Sequence, residues 1–306
     1  MNIKIKIHLM PWEIDYALLT FSQLKKSLYH LSQEDNIEIS SVLNLSSYII
    51  NWEESKLPKE YFIQKYQDIS KMLEGYKHTS KIYDEDQLYG HLDFEKEIIS
   101  PEVDYYISIC PDICFSEYAL SYLIESAKQV ENKYFVITPQ TSKVGDEDWD
   151  EITNSHFVNI PYGDYLKVNV FDVYNTNYLE TEKNLYPTLK SKFAGWFDLY
   201  SKSVVEELCP YQEDWGGYGP WDLYSIILTN HLKEQGVDFQ QYLIQGEVIW
   251  MYPSGPLIKN GMDGFSGYYK NLLAKNPIPD QRQKFESNLD MYLNKTIESL
   301  KEKNII

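Results

Sequence analysis

The chain has 306 residues, enough for one large α/β domain with appendages, which we expect, or for two smaller domains. Its formal net charge is −18 and Arg282 is its single arginine, so it lacks the basic surface that duplex nucleic acid or an anionic membrane would require. Its three cysteines have no disulfide or zinc-site spacing, and no run approaches the ~18 apolar residues of a membrane span, so we expect a cytoplasmic protein without a membrane-spanning segment.

The first half of the chain alternates strand patterns with helix patterns. β-branched and aromatic residues form short runs, and between these runs apolar residues recur at helical spacing. This alternation predicts an α/β fold with right-handed βαβ units and a mostly parallel sheet flanked by helices, whose ligands lie beyond the carboxyl ends of the strands. The predicted strands span residues 3–8, 37–43, 81–83, 105–109 and 134–137, and the predicted helices span 16–31, 60–73 and 117–130.

The second half is less regular. An acidic stretch rich in tyrosine and asparagine predicts loops or an inserted hairpin. After this stretch, helix and strand patterns return. We expect one α/β domain over residues 1–255 and a loop with a helical extension over 256–306, which packs on the outside or pairs with a partner. The predicted segments are irregular residues 140–190, a helix from Trp221 ended by Gly236, a strand over 242–252, a loop over 253–268 and a helix over 279–303.

A carboxylate follows the predicted strand over residues 105–109. The sequence there is DYYISICPDICF, in which Asp112 stands where the apolar run stops. An aspartate in this place is either the N-cap of the next helix or a ligand for something held at the sheet edge. An acidic protein that handles a phosphorylated ligand needs a compensating charge, and a divalent cation held by carboxylates supplies it.

Glycines, aromatic residues and acids are concentrated in EDWGGYGPWD, residues 213–222. Glycines allow a backbone to approach a sugar closely, and flat aromatic rings can stack on a pyranose. Among aromatic neighbours Asp222 would lose part of its solvation, which favours a general base. It is alternatively a capping residue in a structural turn, and Glu213 and Asp214 are other acids in the same segment.

The order of these segments resembles the nucleotide-sugar-binding fold of GT-A glycosyltransferases. The resemblance covers roughly residues 3–255 and rests on DYYISICPDICF, KYFVITPQ, KFAGWFDLYSKS and EDWGGYGPWDLYS. It implies a Rossmann-like sheet and the transfer of a sugar from a nucleotide-sugar donor to a carbohydrate or another hydroxyl acceptor.

The resemblance also implies a divalent cation, Mn²⁺ or Mg²⁺. The strand that precedes the long helix ends in Asp-x-Asp in that family, and the matching positions here are Cys110-Pro111-Asp112. Asp112 is therefore the expected metal ligand, and Cys110 departs from the pattern. The late histidine that often completes the metal shell is also missing, because the corresponding segment reads GEVIWMYPSG.

The same resemblance assigns the remaining candidate residues. Asp222 is the expected base that takes the proton of the acceptor hydroxyl, as in inverting members of the family. The loop after the first strand should meet the nucleotide, where Trp12 either stacks on a base or fills the core. His91 and Asp93 stand where relatives contact the donor, although a surface role is as plausible for both. The expected nucleotide- and donor-binding residues are Pro11, Trp12, His91 and Asp93, and the expected substrate-binding residues are Gly195, Trp196, Asp198, Trp215, Gly216, Gly217, Tyr218 and Trp221.

Two other functions fit the sequence. The first is a carbohydrate- or nucleotide-sugar-binding protein that has this fold without turnover, which would explain the missing carboxylate and histidine. The second is a glycoside hydrolase that uses two carboxylates such as Asp214 and Asp222. A requirement for a nucleotide donor would exclude the hydrolase, and transfer or donor hydrolysis would exclude the inactive binding protein. For Asp198 the alternative role is an incidental acid in a buried strand.

Overall fold

A computed structural model describes residues 1–31, 35–47, 50–85, 99–143, 185–187, 197–208, 220–251 and 277–306. The strands are β1 Asn2–Leu9, β2 Asn36–Asn44, β3 His78–Tyr83, β4 Tyr105–Ile109, β5 Ile113–Cys114, β6 Tyr134–Lys143, β7 Leu185–Pro187, β8 Phe197–Ser201 and β9 Phe239–Met251. The helices are α1 Ile14–Tyr29, α2 Lys59–Ser70, α3 Ala119–Ala127, α4 Pro220–Glu234 and α5 Pro277–Glu302. Short 3₁₀ turns span Pro11–Glu13 and Lys71–Leu73, and a π-helical turn spans Val204–Leu208.

The nine strands form a single sheet in the order β3-β2-β1-β4-β8-β6-β9-β5, and β7 pairs with β9 beside this path. β1, β2, β3, β4, β6 and β9 run in one direction, whereas β5, β7 and β8 run in the other. The predicted α/β fold with a mostly parallel sheet, flanking helices and a C-terminal helix is confirmed.

The chain reverses its winding direction between β1 and β4. It moves outward from β1 through β2 to β3, and then returns to place β4 on the other side of β1. At such a switch point the segments that follow the two neighbouring strands diverge, which leaves a crevice at the carboxyl edge of the sheet. The segments beginning at Met10 and Cys110 flank this position.

Two layers cover the two sides of the sheet. On the first face, α1, α2 and α3 pack on the side chains of Ile3, Ile5 and Ile7 of β1, each at most 1% exposed. On the second face, a separate apolar cluster joins the π-helical turn with α4 and α5, and includes Leu228 and Tyr292. Because strand residues alternate between faces, β2, β4, β6 and β8 contribute apolar residues to both clusters.

The C-terminal helix is part of this second layer. Tyr292 and Leu300 of α5 are 2% and 1% exposed and belong to the cluster that also contains Leu232 of α4. This helix therefore packs on the outside of the sheet. The predicted boundary at residue 255 lies outside the described residues.

Candidate active site at the carboxyl edge of the sheet

Asp112 lies in a turn between two strands, β4 and β5. The next helix, α3, begins only at Ala119, and Tyr118 occupies its N-cap position. The alternative interpretation of Asp112 as a helix cap is therefore wrong. Its side chain is 8% exposed, and the turn follows β4 directly at the switch point. This is the place in the fold where a carboxylate can meet a ligand at the sheet edge.

Asp198 is a second buried acid near the same edge. It is the second residue of β8, which runs antiparallel to β4, and it pairs with Ser108. Since β4 ends at Ile109, Asp198 lies near the carboxyl end of β4. Asp198 is 4% exposed, and its carboxylate accepts a hydrogen bond of 3.0 Å from the Tyr200 hydroxyl. Asp112 and Asp198 thus both lie near the carboxyl end of β4, which borders the β1/β4 switch point.

The second face of the sheet carries a polar row across three strands. Lys6 of β1 pairs with Ser108 of β4, and Ser108 pairs with Asp198 of β8, so the three side chains lie on the same face. All three are at most 4% exposed. A lysine and an aspartate buried in one row bring opposite charges to the same face, where a low dielectric strengthens their effect on neighbouring groups.

His8 extends this polar face toward the carboxyl end of β1. Burial, and secondarily the charge of Lys6, lower the pKa of His8 to about 3. Its imidazole is therefore neutral at physiological pH. The Asn44 amide lies 3.4 Å from His8 Nε2, and an amide N–H that donates there leaves the ring proton on Nδ1. Asn44 also accepts a hydrogen bond from the backbone of Ser46 at 3.1 Å, which fixes the segment that follows β2.

The segment that follows β1 forms a compact buried turn. Met10 N–H donates to Glu13 Oε2 at 2.8 Å, and Glu13 N–H donates to Met10 O at 3.0 Å. Pro11 is buried, and Trp12 is 1% exposed within the apolar core of the first face. Trp12 therefore fills the core and does not stack on a base, since its ring offers no open surface.

The residues that are described fit a divalent cation only through Asp112. Among them there is no group of three or more histidine, cysteine, aspartate or glutamate side chains that could hold a metal. Cys110 precedes Asp112 by two residues and is half-buried, but a thiol is a poor ligand for Mg²⁺. One carboxylate is nevertheless sufficient for a Mg²⁺-type site in which phosphate oxygens and water complete the shell.

α4 places the predicted base at the start of a helix. It begins at Pro220, so Trp221 and Asp222 fall within its first turn, as the sequence pattern indicates. The side chains of these two residues are outside the described part of the chain. The following candidates also lie outside the described residues: His91, Asp93, Gly195, Trp196, Trp215, Gly216, Gly217 and Tyr218.

Sequence reasoning missed several members of this polar face, namely Lys6, His8, Asn44 and Ser108. The sequence does contain a signal for Lys6 and His8, since NIKIKIHL alternates polar and apolar residues along β1. Alternation identifies which residues share a face, but it is usually a sign of a solvent-exposed polar side. Here that side is covered, and Lys6 and His8 are only 4% and 9% exposed.

No protein-family model matches the chain, and no curated protein matches it in sequence. Solved structures with a similar fold include S. aureus TarS (residues 1–349) in complex with UDP-GlcNAc, with a TM-score of 0.47 and 10% identity over 83% of this chain and 59% of that chain. GalNAc-T7 with UDP, GalNAc and Mn²⁺ has a TM-score of 0.46 and 11% identity over 87% of this chain and 45% of that chain. The chain thus spans less than two thirds of each of these proteins, and both are GT-A fold glycosyltransferases.

In the described part of the chain, no helix combines the length and the apolar character that a membrane crossing requires.

Proposed function

We propose that the protein transfers a sugar from a nucleotide-sugar donor to the hydroxyl of an acceptor. The observation that supports this proposal best is the position of Asp112, in a turn that follows β4 beside the topological switch point. In open α/β sheets this crevice is the usual place for a nucleotide. Asp198 supplies a second buried carboxylate on the adjacent strand.

Each acid has a distinct task in the proposed reaction. Asp112 would hold Mn²⁺ or Mg²⁺, and such an ion neutralises charge on the diphosphate of the donor. Asp222, in the first turn of α4, would take the proton of the acceptor hydroxyl as a general base. Asp198 would bind a hydroxyl of the donor or acceptor sugar, since a carboxylate accepts hydrogen bonds strongly.

The surrounding residues limit how the site can work. His8 is neutral and contributes no positive charge at physiological pH, because its pKa is lowered to about 3. With a net charge of −18, the chain would also repel a diphosphate at long range. A cation at Asp112 would offset both effects, so donor binding should depend on the divalent cation.

The experiment is a thermal-shift series with UDP, UDP-GlcNAc, UDP-GalNAc and UDP-glucose, each with and without Mn²⁺. We expect at least one nucleotide to raise the melting temperature of the wild type only when Mn²⁺ is present. Asp112→Asn should abolish this shift. Glu117→Gln is the matched control, since the Glu117 side chain is 41% exposed and lies five residues away. A wild type that responds to none of these nucleotides would contradict the proposal.

A catalytically inactive binding protein is the second candidate, and Cys110 favours it. Cys110 stands at the position of the first aspartate of the family's Asp-x-Asp motif, so one expected carboxylate is absent. The binding protein would give the same Mn²⁺-dependent thermal shift. It would release no UDP from the stabilising donor, with or without added acceptor sugars, and a UDP-release assay therefore separates the two functions.

A further inference from the structure

A stripe of polar side chains on α1 faces the segment that carries Asp112. Thr20, Gln23 and Ser27 are three and four residues apart, which places them on one side of the helix. They are 0%, 2% and 0% exposed. Buried polar groups on a helix that packs against a sheet need hydrogen-bond partners, because an unsatisfied one is costly. On α1 these partners are backbone carbonyl groups of residues 111–116.

The three side chains follow this segment in order along the helix. Gln23 Nε2 donates to the carbonyl of Phe115 at 3.1 Å, and Ser27 Oγ donates to the carbonyl of Ser116 at 3.1 Å. β5 spans two residues and ends the sheet order, so strand pairing satisfies few of the backbone groups of this segment. α1 therefore provides the hydrogen bonds that a longer strand would provide.

Thr20 differs from the other two because it holds both sides of Asp112. Its hydroxyl oxygen lies 2.8 Å from the carbonyl oxygen of Pro111 and 2.6 Å from that of Ile113. A hydroxyl has one proton, so it donates to the two carbonyl groups in turn or shares the proton between them. The carbonyl groups of Pro111 and Ile113, the residues before and after Asp112, are thus both oriented toward a single buried atom.

We propose that Thr20 is a positioning residue for Asp112, which it fixes through the two flanking carbonyl groups without touching the ligand itself. The role in ligand binding rests on the proposed function, in which the Asp112 carboxylate meets a divalent cation. A ligand carboxylate must be held in place by its surroundings to bind a metal well, since supporting hydrogen bonds are worth about 10–100-fold in metal affinity. Thr20 provides this kind of support for the turn that carries Asp112.

The test compares Thr20→Val with Ser27→Ala. Valine has nearly the shape of threonine but cannot donate, whereas Ser27→Ala removes the same kind of buried hydrogen bond at the far end of the segment. The first measurement is the Mn²⁺ concentration at half-maximal thermal shift in the presence of UDP. We expect Thr20→Val to raise this concentration about 10-fold, and Ser27→Ala to leave it within about twofold of the wild type while lowering the melting temperature similarly.

The second measurement is amide hydrogen exchange at residues 112–114, which needs no ligand. Thr20→Val should accelerate exchange there more than Ser27→Ala does. Thr20→Ser should restore both properties, because it retains the hydroxyl. If Thr20→Val does not fold, Thr20→Cys replaces it, since a thiol is a weak donor of similar size.

Equal effects of Thr20→Val and Ser27→Ala in both measurements would overturn the positioning role and leave a structural one. A wild type that responds to neither UDP nor Mn²⁺ would instead contradict the proposed function. In that case faster exchange at residues 112–114 in Thr20→Val alone would still support the hold of Thr20 on the turn, and unchanged exchange would refute it.

Discussion

The two faces of the sheet differ in what they bury. On the first face, β1 presents Ile3, Ile5 and Ile7 to helices α1 and α2, and these side chains are at most 1% exposed. On the second face the same strand presents Lys6 and His8, which are 4% and 9% exposed. Burial is therefore nearly equal on the two faces, whereas polarity is not. Along β1, the first face has the composition of an apolar core, whereas the second face carries buried polar side chains.

The two faces are also covered by different parts of the chain. α1, α2 and α3 precede residue 130 and cover the first face, whereas the π-helical turn, α4 and α5 follow residue 200 and pack on the second. Asp222, the proposed base, is on α4. The early helices thus pack on the apolar side of β1, whereas the later ones pack on the second face through the cluster that includes Leu228 and Tyr292.

Neighbouring residues on β8 offer the strongest test of this difference. Leu199 is 0% exposed on the first face, and Asp198 lies on the second. Leu199→Ala should lower the free energy of unfolding by about 3 kcal/mol, through lost burial and the cavity that remains. It should leave the UDP response of the folded protein unchanged. Urea denaturation measures the free energy of unfolding, and a thermal-shift assay with UDP and Mn²⁺ measures the UDP response.

Asp198→Asn should have the opposite profile. The asparagine carbonyl can still accept the hydrogen bond from the Tyr200 hydroxyl, and no cavity forms, so Asp198→Asn should cost less stability than Leu199→Ala. The loss of the negative charge should reduce donor turnover at least about 10-fold, because hydrogen bonds to a charged group are worth about 1.5–3 kcal/mol. Asp198→Asn with full turnover would show that the second face is not the site.

The pH dependence of stability should reveal the neutral histidine of the second face. The pKa of His8 is about 3 in the folded protein because burial and the charge of Lys6 lower it from 6.5. Between these two values the unfolded chain binds a proton that the folded chain does not bind. The stabilisation is thus complete above pH 6.5 and is lost as the pH falls toward 3. At pH 5 the loss should be about 2 kcal/mol.

His8→Gln should remove most of this loss while its amide still meets Asn44. Urea unfolding at pH 7.5 and pH 5.0 measures the difference. His78→Gln tests the first face in the same way, because burial also lowers the pKa of His78, whose Nε2 lies 2.8 Å from Ser41 Oγ. A His8→Gln variant with the acid sensitivity of the wild type would mean that His8 is protonated in the folded state.

The sequence predicted the elements of both faces better than their burial. The run from Tyr105 to Ile109 and the glycine at 236 are local signals, and the structure has a strand and a helix end there. The burial of Lys6, which is 4% exposed, depends on tertiary packing around the second face, which the alternation along β1 does not contain. The surroundings of Asp112 likewise include the distant Thr20, which a local pattern does not contain.

Two glycines allow a comparison between the faces in which the expected change in stability is smallest. Gly236, with φ +88°, follows α4 on the second face, where Val237 N–H bonds to Leu232 O at 3.0 Å in a Schellman motif. Gly75, with φ +95°, follows the 3₁₀ turn after α2 on the first face, where Tyr76 N–H bonds to Leu73 O at 3.1 Å across a type II turn.

Alanine at either position should lower the free energy of unfolding by about 1 kcal/mol, as measured by urea denaturation. A Cβ added to either glycine meets nothing within 4 Å, so the cost comes from the left-handed backbone alone, at about 1–2 kcal/mol less the gain from a stiffer unfolded chain. Asparagine tolerates this conformation better, and Gly75→Asn and Gly236→Asn should lose less. Since the backbone conformation is the same in two different motifs, equal losses are expected on the two faces. A much larger loss for Gly236→Ala would mean that the end of α4, and with it the second layer, shifts to relieve the strain.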